Sequence, residues 1–352
     1  MIAAAIKIRP VKITDSKKLA AFFDEVDVPV IPEFIDNSQP MGLTSLFVKV
    51  HSYFPLGLKS LQEGYVAVEN NNILGLISLI PDSKVKHRWK IDQLYLKPNA
   101  YDVGKLLIDF IVNKYGAEGV ETFMTEIDSM NNDAAAMFKN ACGFRFCTYN
   151  HIYKLTLTGN TGSEISINDF RKATSTDNEK LHDLYLECLK PQVKVSLEKT
   201  PKDFASGLEN NIKEFITGLS KDQWILESPE SDIAAAYAKI STFDNQTFYL
   251  ILYTSLPYAD YYADILDFMI RYAGLKNKHA TLYLSVCEAI QSHSKLLEVL
   301  KENDFEPVQT NAILVKDYWR PLKERKPLAT PQMIMFPEGT STAYNQAGVV
   351  EK

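Results

Sequence analysis

The sequence predicts an α/β protein of the mixed α+β kind, in which one unit of sheet and flanking helices is written twice in tandem. Three observations predict it. Arg9, Thr14, Asp15, Lys18 and Leu19 recur as Arg171, Thr176, Asp177, Lys180 and Leu181 at a shift of 162 residues. Asn132–Phe144 aligns with His293–Phe305 at a shift of 161, and between them Asp109–Phe110 answers Asp267–Phe268 at a shift of 158. The order is kept while loop lengths drift, as in two copies of one domain and unlike a short-period solenoid.

Each element follows from local pattern. Ile6–Arg9 reads as a short strand and Asp15–Phe23 as a helix, and the Pro-punctuated stretch Val28–Leu61 carries helical turns at Leu43–His51 over a cleft. Tyr65–Glu69 and Ile73–Ile80 form a hairpin across Asn70-Asn71-Asn72, since Asn tolerates positive φ. Arg88–Leu96 is the next strand. Val103, Leu107, Phe110 and Ile111 fall at helical spacing, followed by strand Val120–Ile127, helix Asn132–Ala141 and one or two closing strands over Phe144–Leu157. The second copy repeats the order: strand Ile165–Phe170, helix Asp177–Leu189, an extra helix near Phe204–Leu219, strands Gln223–Glu227, Ile233–Ile240 and Thr247–Thr254, helix Tyr261–Ala273, strand Ala280–Val286, helix Ser292–Glu302 and strand Phe305–Val315. The first domain is therefore drawn at 1–157 and the second at 165–320, joined by Thr158–Glu164, with a Pro-, Lys- and Thr-rich tail at 321–352.

Composition suits two ordinary cores: 352 residues, 46% hydrophobic and 23% charged. A net charge of −6 argues against wrapping nucleic acid, and no nucleic-acid partner is expected. Four cysteines without CxxC spacing fit a reduced compartment, and no apolar run reaches the length of a signal core or a membrane span, so the expectation is a cytoplasmic protein without a membrane partner. Six histidines show neither HxxxH nor HxH spacing, which speaks against a zinc site. The basic run Lys84–Lys90 has the composition of a solvent-facing hairpin tip.

The element order, together with Asn132, Ala135, Gly143 and Phe144 at the places of the run N-x-x-A-x-x-L-Y-x-x-x-G-F, resembles the GCN5-related N-acetyltransferase (GNAT) superfamily. The resemblance covers Ile6–Leu157 directly and Ile165–Val315 through the internal repeat. It implies two GNAT-like acyl-CoA N-acyltransferase domains, each a mostly antiparallel mixed sheet flanked by helices. It also implies acetyl-CoA as co-substrate, held by Leu94, Tyr95 and Leu96 of the fourth strand, by Val103, Gly104 and Lys105 at the start of the long helix, and by Asn132. The family's phosphate loop, [QR]-x-x-G-x-[GA], closes backbone N–H groups around a pyrophosphate at a helix N-terminus. Here Gly104 keeps the last glycine, Asp102 stands at the first and Asn99 at the Gln/Arg position; Asp102 reads as a helix N-cap and as a charge that opposes a pyrophosphate. The second copy has Pro257–Tyr262 in this place, with no glycine and three tyrosines.

For catalysis the resemblance implies a proton acceptor on the fourth strand and an acid on the last helix. Asp92, expected to share a face with Leu94 and Leu96, fits the first role. Lys139 stands where the family often has Tyr. Leu300 and Asp304 occupy the corresponding Tyr and Gly positions of the second copy. Two readings remain open. One is an acyl-CoA-dependent N-acyltransferase, acetylating a small-molecule or peptide amine, with at most the N-terminal domain active. The other is a catalytically silent tandem module that binds a ligand or a protein.

Overall fold

Twelve strands join in one sheet. In chain order they are β1 (Lys7–Pro10), β2 (Glu63–Glu69), β3 (Asn72–Pro81), β4 (Arg88–Leu96), β5 (Thr122–Asp128) and β6 (Arg145–Thr156), then β7 (Phe170–Lys172), β8 (Ser220–Glu227), β9 (Ala234–Thr242), β10 (Thr247–Thr254), β11 (Thr281–Cys287) and β12 (Glu306–Asp317). The computed structural model describes residues 6–26, 30–31, 63–82, 87–159, 161–162, 166–204, 220–228 and 232–318. The expected turns at Leu43–His51, the body of the extra helix after Phe204, residues 160, 163 and 164 of the linker and the C-terminal tail lie outside these residues.

The spatial order is β1-β2-β3-β4-β5-β12-β6-β11-β10-β9-β8-β7. Only β4–β5 and β10–β11 pair in parallel; every other neighbour is antiparallel. Each copy thus contributes five strands in the same sequence and then gives its last strand away. β12 pairs with β5 from Asn311↔Asp128 to Asp317↔Thr122, and β6 pairs with β11 from Asn150↔Cys287 to Thr156↔Thr281. The two exchanged strands meet at a pseudo-twofold axis, where Asn150 faces Asn311, its counterpart at the 161 shift. Residues Met1–Trp319 form one compact unit.

Helices cover both faces. The long helices Tyr101–Glu118 and Tyr262–Lys276, with His293–Glu302 and the short helix at Asn132, lie on one face, where Leu107 and Ile111 share a core with Phe123 and Leu314 in the first copy and Leu266 and Leu300 with Leu250 and Leu282 in the second. Ser16–Glu25 and Asn178–Cys188 lie on the other. Across the copies, Arg88 Nη1 donates to the carbonyls of Ser196 (3.1 Å) and Glu198, and Arg145 Nη2 to Ser196 Oγ (2.8 Å). Among the described residues no helix is long and apolar enough to cross a membrane.

Local departures from the expected elements have physical causes. Asn70 and Asn71 take φ of 47° and 69°, the turn that matches strand twist in a two-residue hairpin. The strand expected at Ile165–Phe170 is instead Phe170–Lys172, because Asp169 sits at φ 60° and breaks the extended run. The helix expected at Asn132–Ala141 is α-helical only to Ala135 and then widens into a π turn over Ala136–Ala141, closed by Gly143 at φ 71°.

The repeated Arg and Asp residues make the same device twice. Asp15 accepts two bonds from Arg9 (2.6 and 2.8 Å) and one from the Lys12 N–H (2.9 Å); Asp177 accepts two from Arg171 (2.9 and 2.8 Å) and one from the Thr174 N–H (2.7 Å). Each ties an outer strand to the helix after it. The bonds from Arg9 and Arg171 hold both carboxyls below their ordinary range. A depressed folded-state pKa gives stability that is complete above the unfolded value of about 3.9 and is lost as pH falls below it. Asp177→Asn is therefore expected to cost roughly 1–3 kcal/mol at neutral pH, and the gap to wild type should close in acid. Denaturant melts at several pH values measure this; a gap independent of pH would contradict it.

Candidate active site

The sheet opens where β4 and β5 part. These parallel strands pair only over Arg88–Ile91 and Thr122–Thr125, and then run on past the last pair. On its other edge β4 breaks register with β3: Leu79 faces Ile91 and Ser78 faces Gln93, which leaves Asp92 as an inserted residue. Such a bulge re-aims the side chains around it. Ile91 and Leu94, three residues apart, both stand in the core beneath the long helix, so Asp92 and Gln93 turn to the opposite face, with Lys90. The face expected to be common to Asp92, Leu94 and Leu96 is thus divided by the bulge. Lys97 N–H donates to Leu74 of β3 (3.0 Å), so by alternation the peptide groups of Leu94 and Leu96 point into the opening, where the Leu94 carbonyl accepts from Val30 N–H (2.8 Å).

Gly104 lets the long helix close down on this opening. A Cβ there would lie 2.6 Å from Met137 Sδ and 2.8 Å from Leu96 Cδ1, so any side chain displaces the groups that line it. The helix is capped at Ala100 without a side-chain bond, after Asn99 at φ 62°. Asp102, expected as the N-cap, is instead the second helical residue and exposed, because the turn at Asn99 lets the helix start at Tyr101.

The other expected residues divide. Leu94, Tyr95 and Leu96 are buried, Tyr95 edge-on to Phe23 at 5.1 Å, and Val103 packs into the core. Lys105 pairs with Asp109 one turn on. Asn132 is exposed, and its neighbour Asn131 caps the short helix by accepting from Ala134 N–H (2.9 Å). Lys139 is exposed on the long-helix side of the sheet, its Nζ 5.7 Å from the centre of the Phe146 ring, whereas Asp92 faces the other side. The structure gathers Asp92, Leu94, Leu96 and Gly104 at the opening.

Sequence reasoning missed the charges beside Asp92. Lys90 Nζ lies 3.2 Å from Glu126 Oε1, and Asn150 Nδ2 donates to Glu126 Oε2 at 3.4 Å. Burial works against the Lys90 charge, but Glu126, Asp92 and Asp82 outweigh it and raise its pKa above the ordinary lysine value. Burial likewise opposes the Asp82 charge, and Arg88 at 2.5 Å overcomes it, so that carboxyl stays ionised. The alternation Arg88, Lys90, Asp92 was visible as a pattern, but its partners come from other strands. Two thiols near this face are protonated at neutral pH: burial raises Cys147 and pushes Cys287 up to about 12, which removes the thiolate a cysteine nucleophile needs.

The second copy has closed the equivalent place. β10 pairs with β9 without a break from Phe248↔Thr242 to Thr254↔Ala236, so the bulge is absent. Tyr262 stands at the shift-158 counterpart of Gly104, fully buried, and its hydroxyl accepts from the Thr254 N–H (3.1 Å) and bonds Ser292 Oγ (2.8 Å). Ser292 Oγ in turn donates to the Thr254 carbonyl (2.8 Å). Thr254 is the counterpart of Leu96.

Residues 40–144 match the family model described as the acetyltransferase (GNAT) family. Among solved structures, the chain is similar to a tandem GNAT protein from the clavulanic acid biosynthesis pathway, at 11% identity and TM-score 0.57, over 90% of this chain and 100% of that one. It is also similar to a GCN5-related N-acetyltransferase from Sphaerobacter thermophilus, at 12% identity and TM-score 0.58, over 90% of this chain and 96% of that one. At these identities the likeness is one of fold. No curated protein matches the sequence.

Proposed function

Since residues 40–144 match the GNAT family model and the chain shares the fold of a tandem GNAT protein, we propose that it is an acyl-CoA-dependent N-acyltransferase whose working site is the opening in the first copy. The observation that carries this is a contrast. Beside Asp92 the first copy keeps a bulged fourth strand and a glycine where the helix meets it; the second has an unbroken strand and seats Tyr262 in the corresponding gap. Acetyl-CoA suits the first opening, where the peptide groups of Leu94 and Leu96 line the gap and Gly104 lets the start of the long helix approach Leu96 closely. Bound there, the thioester supplies an activated acyl group. Asp92 takes the proton that the acceptor ammonium must lose, directly or through water, and backbone N–H groups of β4 polarise the acyl carbonyl. With Cys147 and Cys287 protonated, direct transfer to the amine is favoured over an acyl-cysteine. Asp102 at the helix start weakens the hold on a pyrophosphate.

Acetyl-CoA at about 100 times its Kd is expected to stabilise the protein by roughly 2.7 kcal/mol in a thermal-shift titration. Gly104→Tyr, which copies the second half's plug, should abolish the shift. Tyr262→Phe should keep it, while costing about 1–3 kcal/mol of stability by leaving a buried N–H and hydroxyl short of a partner. The reverse pattern would place the site in the wrong copy. Lys139, exposed and far from serving as an acid, favours one second reading: a silent module that binds the coenzyme or a peptide and transfers nothing, recognised by a thermal shift without turnover on any amine.

A further inference from the structure

The axis between the exchanged strands is polar where a sheet centre is ordinarily apolar. Asn150 and Asn311, the same position in each copy, face one another across β6 and β12 on the side of the sheet that carries Lys90 and Asp92. Strict symmetry would give them equivalent partners. Glu126 and Ser285 are themselves counterparts at the 159 shift, and both bond Asn150: Nδ2 donates to Glu126 (3.4 Å) and Oδ1 accepts from Ser285 Oγ (2.7 Å). Asn311 keeps only one bond, to its Oδ1 from Gln309 Nε2 (2.8 Å). Its Nδ2, on a residue with no exposed surface, finds no partner among the described residues.

A buried amide donor left unpaired costs about 1–3 kcal/mol, so a fold keeps one only where something offsets that cost. Asn311 pairs directly with Asp128, two residues beyond Glu126 on β5, past the point where β4 and β5 part. The donor therefore stands beside Asp128 at the edge of the opening, on the face that carries Glu126 and its partner Lys90. Among the described residues on this edge, the carboxylates of Glu126 and Asp128 outnumber the single Lys90 ammonium, which favours a cationic ligand. The amide donor asks for an oxygen on the same ligand.

We propose that the acceptor-amine site is built on the exchange seam, and that Asn311, carried in by the second copy's last strand, is its positioning residue: Nδ2 donates to a hydroxyl or carbonyl oxygen of a small amine whose ammonium faces the carboxylates. This rests on the transferase reading above. The second copy, closed to the coenzyme, supplies half of the acceptor's specificity.

The test measures acetyl transfer by the full chain to two sets of amines of matched length, amino alcohols and amino-acid amides in one and n-alkylamines in the other. Wild type should prefer the oxygen-bearing set. Asn311→Leu, with the same number and branching of heavy atoms, should raise KM for that set about 10-fold, one neutral hydrogen bond's worth, with kcat and KM for alkylamines within about 2-fold and acetyl-CoA affinity unchanged. Its melting temperature should hold or rise, because an unpaired donor has been removed. Asn150→Leu, which strips partners from Glu126 and Ser285, should melt lower and is the contrast. Asn311→Ala repeats the kinetic reading should the Leu variant fail to fold. An Asn311→Leu protein that melts lower and keeps wild-type selectivity makes Asn311 scaffold and overturns the proposal, as does a wild type indifferent to the oxygen. Acetyl-CoA binding without transfer to any amine removes the transferase reading and this proposal with it; transfer without the preference removes this proposal alone.

Discussion

Asp92→Asn is expected to lower amine acetylation by about 10²–10⁴-fold at saturating substrate while leaving acetyl-CoA affinity nearly intact. The size follows from the role, since removing a positioned proton acceptor forfeits general-base help without touching the groups that would hold the coenzyme. The bulge makes the loss specific: the residue between Ile91 and Gln93 has no opposite number on β3, and its carboxyl is turned out of the core toward Lys90. Asn is isosteric, so bulge and fold should persist. Lys139→Ala, in contrast, should change turnover by less than about 2-fold, as expected of an exposed side chain resting near an aromatic ring. Steady-state kinetics beside calorimetric coenzyme binding check both. Full activity in Asp92→Asn would reduce the residue to scaffold.

The second large effect concerns the exchange. Cut at the linker, neither copy is expected to give a soluble, folded monomer. Residues 1–157 would lack β12, which covers β5 over seven residue pairs, and would leave β6 without β11. Two long edges rich in unpaired backbone groups favour self-pairing or aggregation. Produced together, 1–162 and 163–352 should recover a 1:1 complex with the coenzyme-induced thermal shift of the intact chain. Size-exclusion chromatography decides: a monomeric, cooperatively melting 1–157 would mean that β6 can fold back onto β5, and that the exchange is optional.

Much of the fold was legible because it rests on local pattern. Arg88–Leu96 and Thr247–Thr254 match the observed strands residue for residue, and the Asn70–Asn71 turn behaves as its backbone preference requires. The 162 shift of Arg9 and Asp15 marked a real device, the bidentate pair that fixes an outer strand to its helix. The exchange was not legible, since β6 and β12 carry the same pattern whichever copy they join. The site was half legible. Gly104 could be found by alignment and its need for room beside Leu96 follows from the structure, but periodicity does not announce a one-residue bulge. Strict alternation accordingly placed Asp92 on the wrong face. Lys90 with Glu126, and Asn150 with Asn311, depend on which strands become neighbours, which a linear reading does not contain.

The reciprocal loan of last strands also separates two kinds of inheritance after duplication. The second copy does without a glycine, a bulge and an opening of its own at the place of Gly104, and none of these is a contact that the first copy needs from it. Its backbone had no such freedom, because β12 fills the middle of its sibling's half of the sheet. Deletion of the second copy is therefore expected to unmake the first.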